Sequence, residues 1–124
     1  MTLESDIVDQ LSTDLGHSRI FPAPLPQGTQ LPAVVYQRIT TARLRAHEGT
    51  VLVGPLIQFT CWSNTARDAF DLGRAVVSSW ENRLGEALVE DTRDGYEPGA
   101  KLYRRDVDVR LWASLDDELA DLSS

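Results

Sequence analysis

The most reactive side chains of this 124-residue chain are two histidines and one cysteine, which are widely separated in sequence. His17 follows a first predicted helix and His47 lies in a predicted hairpin turn, each without a second His or a Cys at the spacing of a metal site. Cys61 lies in a predicted strand, where its phase indicates a small buried hydrophobic residue. A nucleophilic cysteine would need exposure and a neighbouring base. We therefore expect both histidines to be ordinary surface residues and Cys61 to be a buried core residue.

The acidic residues are numerous, but their pattern does not indicate catalysis. Most of the 19 Asp and Glu side chains fall on helix faces, in turns or in the C-terminal tail, where solvation is the ordinary explanation. The sequence has no glycine-rich phosphate loop, no His-Glu-x-x-His and no Gly-x-Ser-x-Gly. We expect no enzymatic activity, no cofactor and no metal.

The three tryptophans favour contacts between proteins over nucleic-acid binding. A stacking platform for single strands is accompanied by a basic groove, whereas this chain carries a net charge of −7. Trp80 lies on the apolar stripe of a predicted helix. Trp62 and Trp112 fall on the outward phase of their strands, where we expect one or both at an interface; the alternative is that the local chain half-buries them.

Alternating charges mark the outward phase of the last predicted strand. The row consists of Arg104, Asp106, Asp108 and Arg110. It is either a solvated face or a set of ion pairs across a subunit boundary, where several weak pairs act together. The same two interpretations apply to Arg43 and Arg45. With the hairpin residues and the outward tryptophans, the predicted inter-subunit or neck contacts are Arg43, Arg45, His47, Glu48, Trp62, Arg104, Asp106, Asp108, Arg110 and Trp112.

Hydrophobic periodicity predicts an α+β fold in the order α-β-β-α-β-β. We expect an antiparallel sheet of about four strands with a long β-hairpin arm, packed by one major helix and an N-terminal helix. The predicted elements are a helix over 3–15, strands over 33–46 and 51–62 joined by a turn at 47–50, a helix over 65–84 whose apolar stripe includes Phe70, a short strand over 87–91, a turn region over 92–99 and a strand over 102–113.

Prolines divide the chain before and within the arm. Pro22, Pro24, Pro26 and Pro32 fix φ and lack backbone donors, so residues 20–32 form a stiff strap and neither a helix nor an interior strand. Pro55 cannot donate to a ladder and predicts a bulge, a bend or an exposed edge between the distal and proximal parts of the arm.

Composition indicates one soluble domain over residues 1–113 and an acidic C-terminal tail over 114–124. The tail is either frayed or a short helix that docks on a neighbour. No apolar run is long enough to cross a bilayer, and the acidic start, Met-Thr-Leu-Glu-Ser-Asp, is unlike a secretory signal. We expect the chain to be made, and to assemble, in a cytoplasm without membrane contact.

The order of these pieces resembles the phage tail completion family. The segments that carry the resemblance are "RIFPAPLPQGTQLPAVVYQRI", Gly54-Pro55 before "IQFTCWS", the Ala-containing helix and the terminal "YRRDVDVRLW", within about residues 5–113. Members are tail terminator or tail-to-head joining proteins of long-tailed bacteriophages and gene transfer agents. The resemblance implies a virion protein of the tail and neck, without cofactors. Its subunits would form a ring, usually a hexamer, that terminates the tail tube and meets the head connector or stopper protein.

The residues support the same interpretation independently, and they leave alternatives. An arm and a strap leave sheet edges that neighbouring copies in a closed ring would cover. An acidic ring would let DNA pass through its lumen without specific binding. The alternatives are another neck component, such as a head-side stopper or a tube-like protein, and a small cytoplasmic module that binds a peptide or ligand.

Overall fold

A computed structural model of the chain describes residues 3–45, 51–82, 87–111 and 113–114. Within these ranges the elements are α1 (Leu3–Leu15), β1 (Ile20–Pro22), β2 (Ala33–Arg45), β3 (Val51–Ser63), α2 (Ala66–Glu81), β4 (Ala87–Glu97), β5 (Leu102–Leu111) and β6 (Ala113–Ser114). The strand order of the sheet is β1-β2-β3-β5-β4, and β6 pairs with β3 beyond the end of β5. The α+β class is confirmed.

The strap contributes a strand that the prediction of a purely antiparallel sheet missed. β1 pairs parallel with β2, with Ile20 opposite Val34. The Val34 amide donates to the Arg19 carbonyl over 2.9 Å, and the Ala23 amide donates to the Tyr36 carbonyl over 3.0 Å. β1 ends at Pro22 and lies at the edge of the sheet, which agrees with the exclusion of a helix or an interior strand from the strap.

The arm is one antiparallel hairpin of β2 and β3, and it contains the predicted irregularity near Pro55. Pairing extends from Ala33 opposite Trp62 to Arg45 opposite Val51, with a register shift in β2 between Arg38 and Thr40. The bulge therefore lies on the strand opposite the proline. On the side of β3 that faces away from β2, the β5 ladder ends at Leu56 and the β6 ladder begins at Val53. Pro55 therefore lies between these two ladders.

β4 is longer than predicted. Residues 87–97 form one strand with a register shift between Val89 and Asp91, so the turn predicted over 92–99 is wrong for its first six residues. Asp94 and Gly95 favour a turn locally, yet they pair with Arg105 and Arg104 of β5. Pairing with a neighbouring strand thus overrides the local turn propensity, and the turn begins after Glu97.

The hydrophobic core lies between one face of the sheet and the two helices. Thr65 caps α2 by accepting a hydrogen bond from the Asp68 amide over 3.1 Å. Trp80 of α2 packs against Phe59 of β3, with ring centroids 5.7 Å apart. The main core side chains are Ile7, Leu11, Ile20, Val34, Tyr36, Ile57, Phe59, Cys61, Leu72, Val76, Trp80, Val107, Val109 and Leu111.

Phe70 departs from the predicted apolar stripe of α2. Its side chain is 43% exposed, while Leu72 is buried. The helix is rotated so that Ala69, Leu72, Gly73 and Val76 face the sheet. Phe70 therefore lies beside the core and is available at the surface.

Candidate assembly surface

The charged row of β5 lies on the outer face of the sheet, the face opposite the helices. Val107 and Val109 are fully buried beneath the helices. Because successive side chains of a strand point to opposite faces, Arg104, Asp106, Asp108 and Arg110 point the other way, as predicted. Within the described residues, both helices pack on the inner face.

The two aspartates of the row have partners within the chain. Asp106 accepts a hydrogen bond of 2.9 Å from the Thr60 hydroxyl of β3, and Arg104 Nε lies 3.4 Å from its other oxygen. Asp108 receives two hydrogen bonds from Arg93 of β4, at 2.8 and 3.1 Å. The pKa of Arg93 is raised, because these bonds to Asp108 and a further bond to Asp91 stabilise the guanidinium.

Arg110 connects the row to the base of the arm. Its Nε lies 3.1 Å from a carboxylate oxygen of Glu90, and its Nη1 donates to the Gly54 carbonyl over 2.7 Å. Gly54 lies beside Pro55, where the β5 and β6 ladders leave a gap. A side-chain donor therefore satisfies a carbonyl at the point where regular strand pairing is interrupted.

Sequence reasoning missed the β4 members of this network. Glu90, Asp91 and Arg93 lie on a strand whose second half was predicted as a turn. Asp91 and Arg93 face Asp108 and Asp106 across the ladder. Asp91 and Arg93 are two residues apart, which is the spacing of side chains on one face of a strand. Continuing that spacing through the predicted turn would have indicated a longer strand with these residues on its outer face.

Trp62 lies on the outward phase, as predicted, and is half-buried. Its register neighbours are Ala33 of β2 and Arg104 of β5. The backbones of Arg43 and Arg45 pair with Val53 and Val51 in the arm. The remaining predicted contacts, His47, Glu48 and Trp112, lie outside the described residues. A role for any of these ten residues between subunits stays a prediction.

Two sheet edges have no strand partner within the described ranges. One is the outer side of β4. The other consists of the outer side of β1 and the side of β2 beyond Tyr36, where β1 ends. Large exposed side chains lie on the same strands, Leu88 at 56% and Ile39, the bulged residue, at 49%. Unpaired edges of this kind present backbone donors and acceptors to another chain.

Cys61 is buried, as the sequence predicted, whereas His17 is partly buried and His47 lies outside the described residues. Burial, with a smaller contribution from Asp106, raises the pKa of Cys61 to about 12. Partial burial and the nearby Arg19 lower the pKa of His17. Within the described ranges, no three His, Cys, Asp or Glu side chains are placed to hold a metal ion.

A sheet face without a helix on it, a hairpin that extends past the β5 ladder and unpaired edges, all within the described residues, are typical of a subunit that assembles with other chains. A chain in the virion of a native gene transfer agent particle has a similar fold, with a TM-score of 0.63 and 13% sequence identity, covering 91% of this chain and 95% of that chain. No curated protein matches this chain. Residues 8–114 match the tail completion protein gp17 family, and the chain belongs to that family.

The family makes the chain a structural protein of a phage or gene-transfer-agent tail and a component of the virion. The resemblance noted in the sequence is thereby confirmed. Neither described helix combines the length and the apolar character needed to span a membrane. The family is a structural one, and the absence of enzymatic activity stays a prediction.

Proposed function

We propose that this chain is a tail terminator, whose copies form a hexameric ring on the finished tail tube and join it to the head connector or stopper protein. The observation that carries the proposal is the pair of unpartnered edges, on β4 and on β2 beyond Tyr36, at opposite sides of one sheet. Two different edges suit a head-to-tail contact, and repeated head-to-tail contacts close into a ring when the rotation between copies allows it.

The outer face is suited to burial against a neighbour or against the tube. The carboxylates of Asp106 and Asp108 are only 13% and 15% exposed, and each has an intrachain partner. Burying a charge that has no partner costs several kcal/mol, which is about the cost of removing one partner from a buried ion pair. Since these charges are already paired, contact with another chain would not leave them isolated.

The charge of the chain supports a ring through which DNA passes without being held. Tight binding to a nucleic-acid backbone depends on Lys and Arg that displace counterions from phosphates. This chain has 12 such residues against 19 acidic ones. On the outer face, the described arginines are moreover engaged with carboxylates.

The test is complementation of a genome from which the gene for this chain is deleted. Electron microscopy of the deletion particles is expected to show overlong tails without heads, and the intact gene is expected to restore virions. A variant that lacks the arm residues 43–50 is expected to fail in restoration, provided that its thermal unfolding shows an intact fold. Tails of normal length beside heads that have lost DNA would indicate the head-side stopper instead. Normal infectious particles from the deletion would overturn the proposal.

A further inference from the structure

A groove of about 510 Å³ lies between the first half of α2 and the paired ends of β4 and β5. Its floor carries two exposed aromatic rings, Phe70 at 43% and Tyr103 at 36% exposed. Arg67 and Arg74 line the groove on the helix side, and Asp71 and Asp94 line it too, with Asp94 in an ion pair with Arg105. The groove therefore combines apolar surface with arginine side chains, although the chain as a whole is acidic.

The arginines on the α2 side of the groove are weakly engaged. Arg74 forms no ion pair within the described residues, and its guanidinium carbon lies 5.9 Å from the centroid of the Phe70 ring. The Arg67 side chain is 88% exposed, and its Asp71 partner lies 3.9 Å away. An exposed pair at that distance contributes little. Both guanidinium groups are thus available to carboxylates of another segment.

The tail has the complementary chemistry. Leu115, Leu119 and Leu122 are spaced by four and three residues, which is the spacing of neighbours on the surface of a helix. Between and around them lie four acidic residues, Asp116, Asp117, Glu118 and Asp121. A segment with leucines at this spacing and carboxylates between them matches a groove with two aromatic rings and two weakly engaged arginines.

A chain cannot fill its own groove with these leucines. Trp62 of β3 is opposite Arg104 at the groove, and Leu52 of the same strand is opposite Ser114, where the tail begins. Ten strand residues separate the two points, a distance of about 33 Å. Even Leu122, the last of the three, lies eight residues beyond Ser114, and its Cα reaches at most about 29 Å from it. The occupant must come from another copy.

We infer that the groove binds the Leu115–Leu122 segment of a neighbouring copy, with the leucines on Phe70 and Tyr103 and the carboxylates on the arginines. The groove and the tail lie at opposite ends of the β5 direction, so the contact is head to tail. The inference rests on the proposed ring and names one contact that would hold it together.

The test is disulfide trapping in virions made by the full-length chain. Two variants, Ala66→Cys at the groove and Ala120→Cys in the tail, are produced together in a host that carries the deletion genome. Purified particles are oxidised and analysed on a non-reducing gel. The expected product is a covalent dimer of one copy of each variant. Cys61 does not compete, because its thiol is buried and remains protonated.

A matched control moves the groove cysteine along the same helix. Ser78 is an exposed residue of α2, twelve residues or about 18 Å from Ala66, and Ser78→Cys is expected to give no dimer. Arg74→Glu, or Leu115→Ser with Leu119→Ser in the tail variant, is expected to reduce the dimer yield about tenfold.

The outcomes separate this inference from the proposed function. Particles that contain both variants but give no more dimer with Ala66→Cys than with Ser78→Cys overturn the inference and leave the ring intact. A disulfide formed within single copies of a doubly substituted chain also overturns it. Virions that do not contain the chain overturn the proposed function, and the inference with it.

Discussion

Gly73 of α2 packs directly against the side chain of Arg105 on β5. A Cβ atom at position 73 would overlap with Cδ of Arg105. Arg105 is held on two sides, since its Nη1 lies 2.7 Å from Asp94 and its guanidinium carbon lies 4.7 Å from the centroid of the Phe70 ring. The glycine thus allows α2 to approach the sheet over an arginine side chain.

Gly73→Ala is therefore expected to destabilise the fold, although alanine is the better helix former. Replacing glycine by alanine inside a helix stabilises the helix by about 0.5–1 kcal/mol. Displacement of a fixed side chain from a packed contact costs about 1–3 kcal/mol. The net loss should be about 1 kcal/mol, which lowers the melting temperature by roughly 3–5 °C.

Gly99→Ala is the matched control for this substitution. No atom lies within 4 Å of a Cβ at position 99, and its φ is not positive, so the melting temperature should change by less than about 2 °C. An increase in the melting temperature of Gly73→Ala would mean that Arg105 moves aside without cost.

The Arg93–Asp108 pair is expected to contribute more to assembly than to folding. The Arg93 side chain is 42% exposed, whereas Asp108 is 15% exposed. A double-mutant cycle in urea with Arg93→Gln and Asp108→Asn should therefore give a coupling below about 1 kcal/mol. Asp108→Asn should nevertheless reduce infectious titre at least about tenfold if the outer face is buried between copies.

Either measurement can contradict this account of the row. A coupling free energy well above 1 kcal/mol would show that the Arg93–Asp108 pair mainly stabilises the fold of the single chain. An unchanged titre with Asp108→Asn would favour the other interpretation of the sequence, a solvated face.

The parts of the fold that the sequence predicted correctly have local causes. The start of α2, predicted at residue 65, depends on a hydroxyl three residues before an amide, and the buried position of Cys61 follows from strand alternation. The outward direction of the row on β5 has the same origin. Each of these features is decided within a few residues, so the pattern alone was sufficient.

The parts that the sequence missed depend on distant partners. Asp94 and Gly95 favour a turn locally, but in the structure they pair with β5. β1 is a strand because its backbone pairs in parallel with the segment of β2 from Val34 to Tyr36. Phe70 was assigned to the core because the rotation of α2 depends on the close approach of Gly73 to Arg105. The groove that Phe70 lines was missed for the same reason.

Cys61 is expected to make stability fall at alkaline pH. Its pKa is 9.0 in the ordinary state and about 12 in the fold, so above pH 9 the unfolded chain loses a proton that the folded chain keeps. Stability from this group is complete below pH 9 and is lost as the pH rises toward 12. The slope is at most about 1.4 kcal/mol per pH unit.

Chemical unfolding of the wild type and of Cys61→Ala at pH 8 and pH 10.5 measures this effect. The free-energy difference between the two proteins should shrink at the higher pH. At pH 8, the native thiol should react with a thiol reagent far more slowly than the unfolded thiol, because its thiolate fraction is about a thousandfold lower. Equal rates would show that Cys61 is accessible in the fold.

Trp62→Ala is expected to weaken assembly while leaving the fold largely intact. Trp62 lies on the outer face, half-buried, and the side chains of the core lie on the opposite face. Loss of its partial contacts should cost about 1–2 kcal/mol of unfolding free energy, compared with about 3–5 kcal/mol for a fully buried tryptophan. Trp80, which is 2% exposed, provides that comparison within the same chain.

Thermal unfolding and complementation of the deletion genome measure the two effects separately. Trp80→Ala should lower the melting temperature strongly and lose function through misfolding. Trp62→Ala should keep most of its melting temperature and still reduce the number of headed particles, because a large aromatic side chain at the centre of a contact carries much of its binding energy. Full particle yield with Trp62→Ala would show that the outer face near Trp62 does not contact another chain.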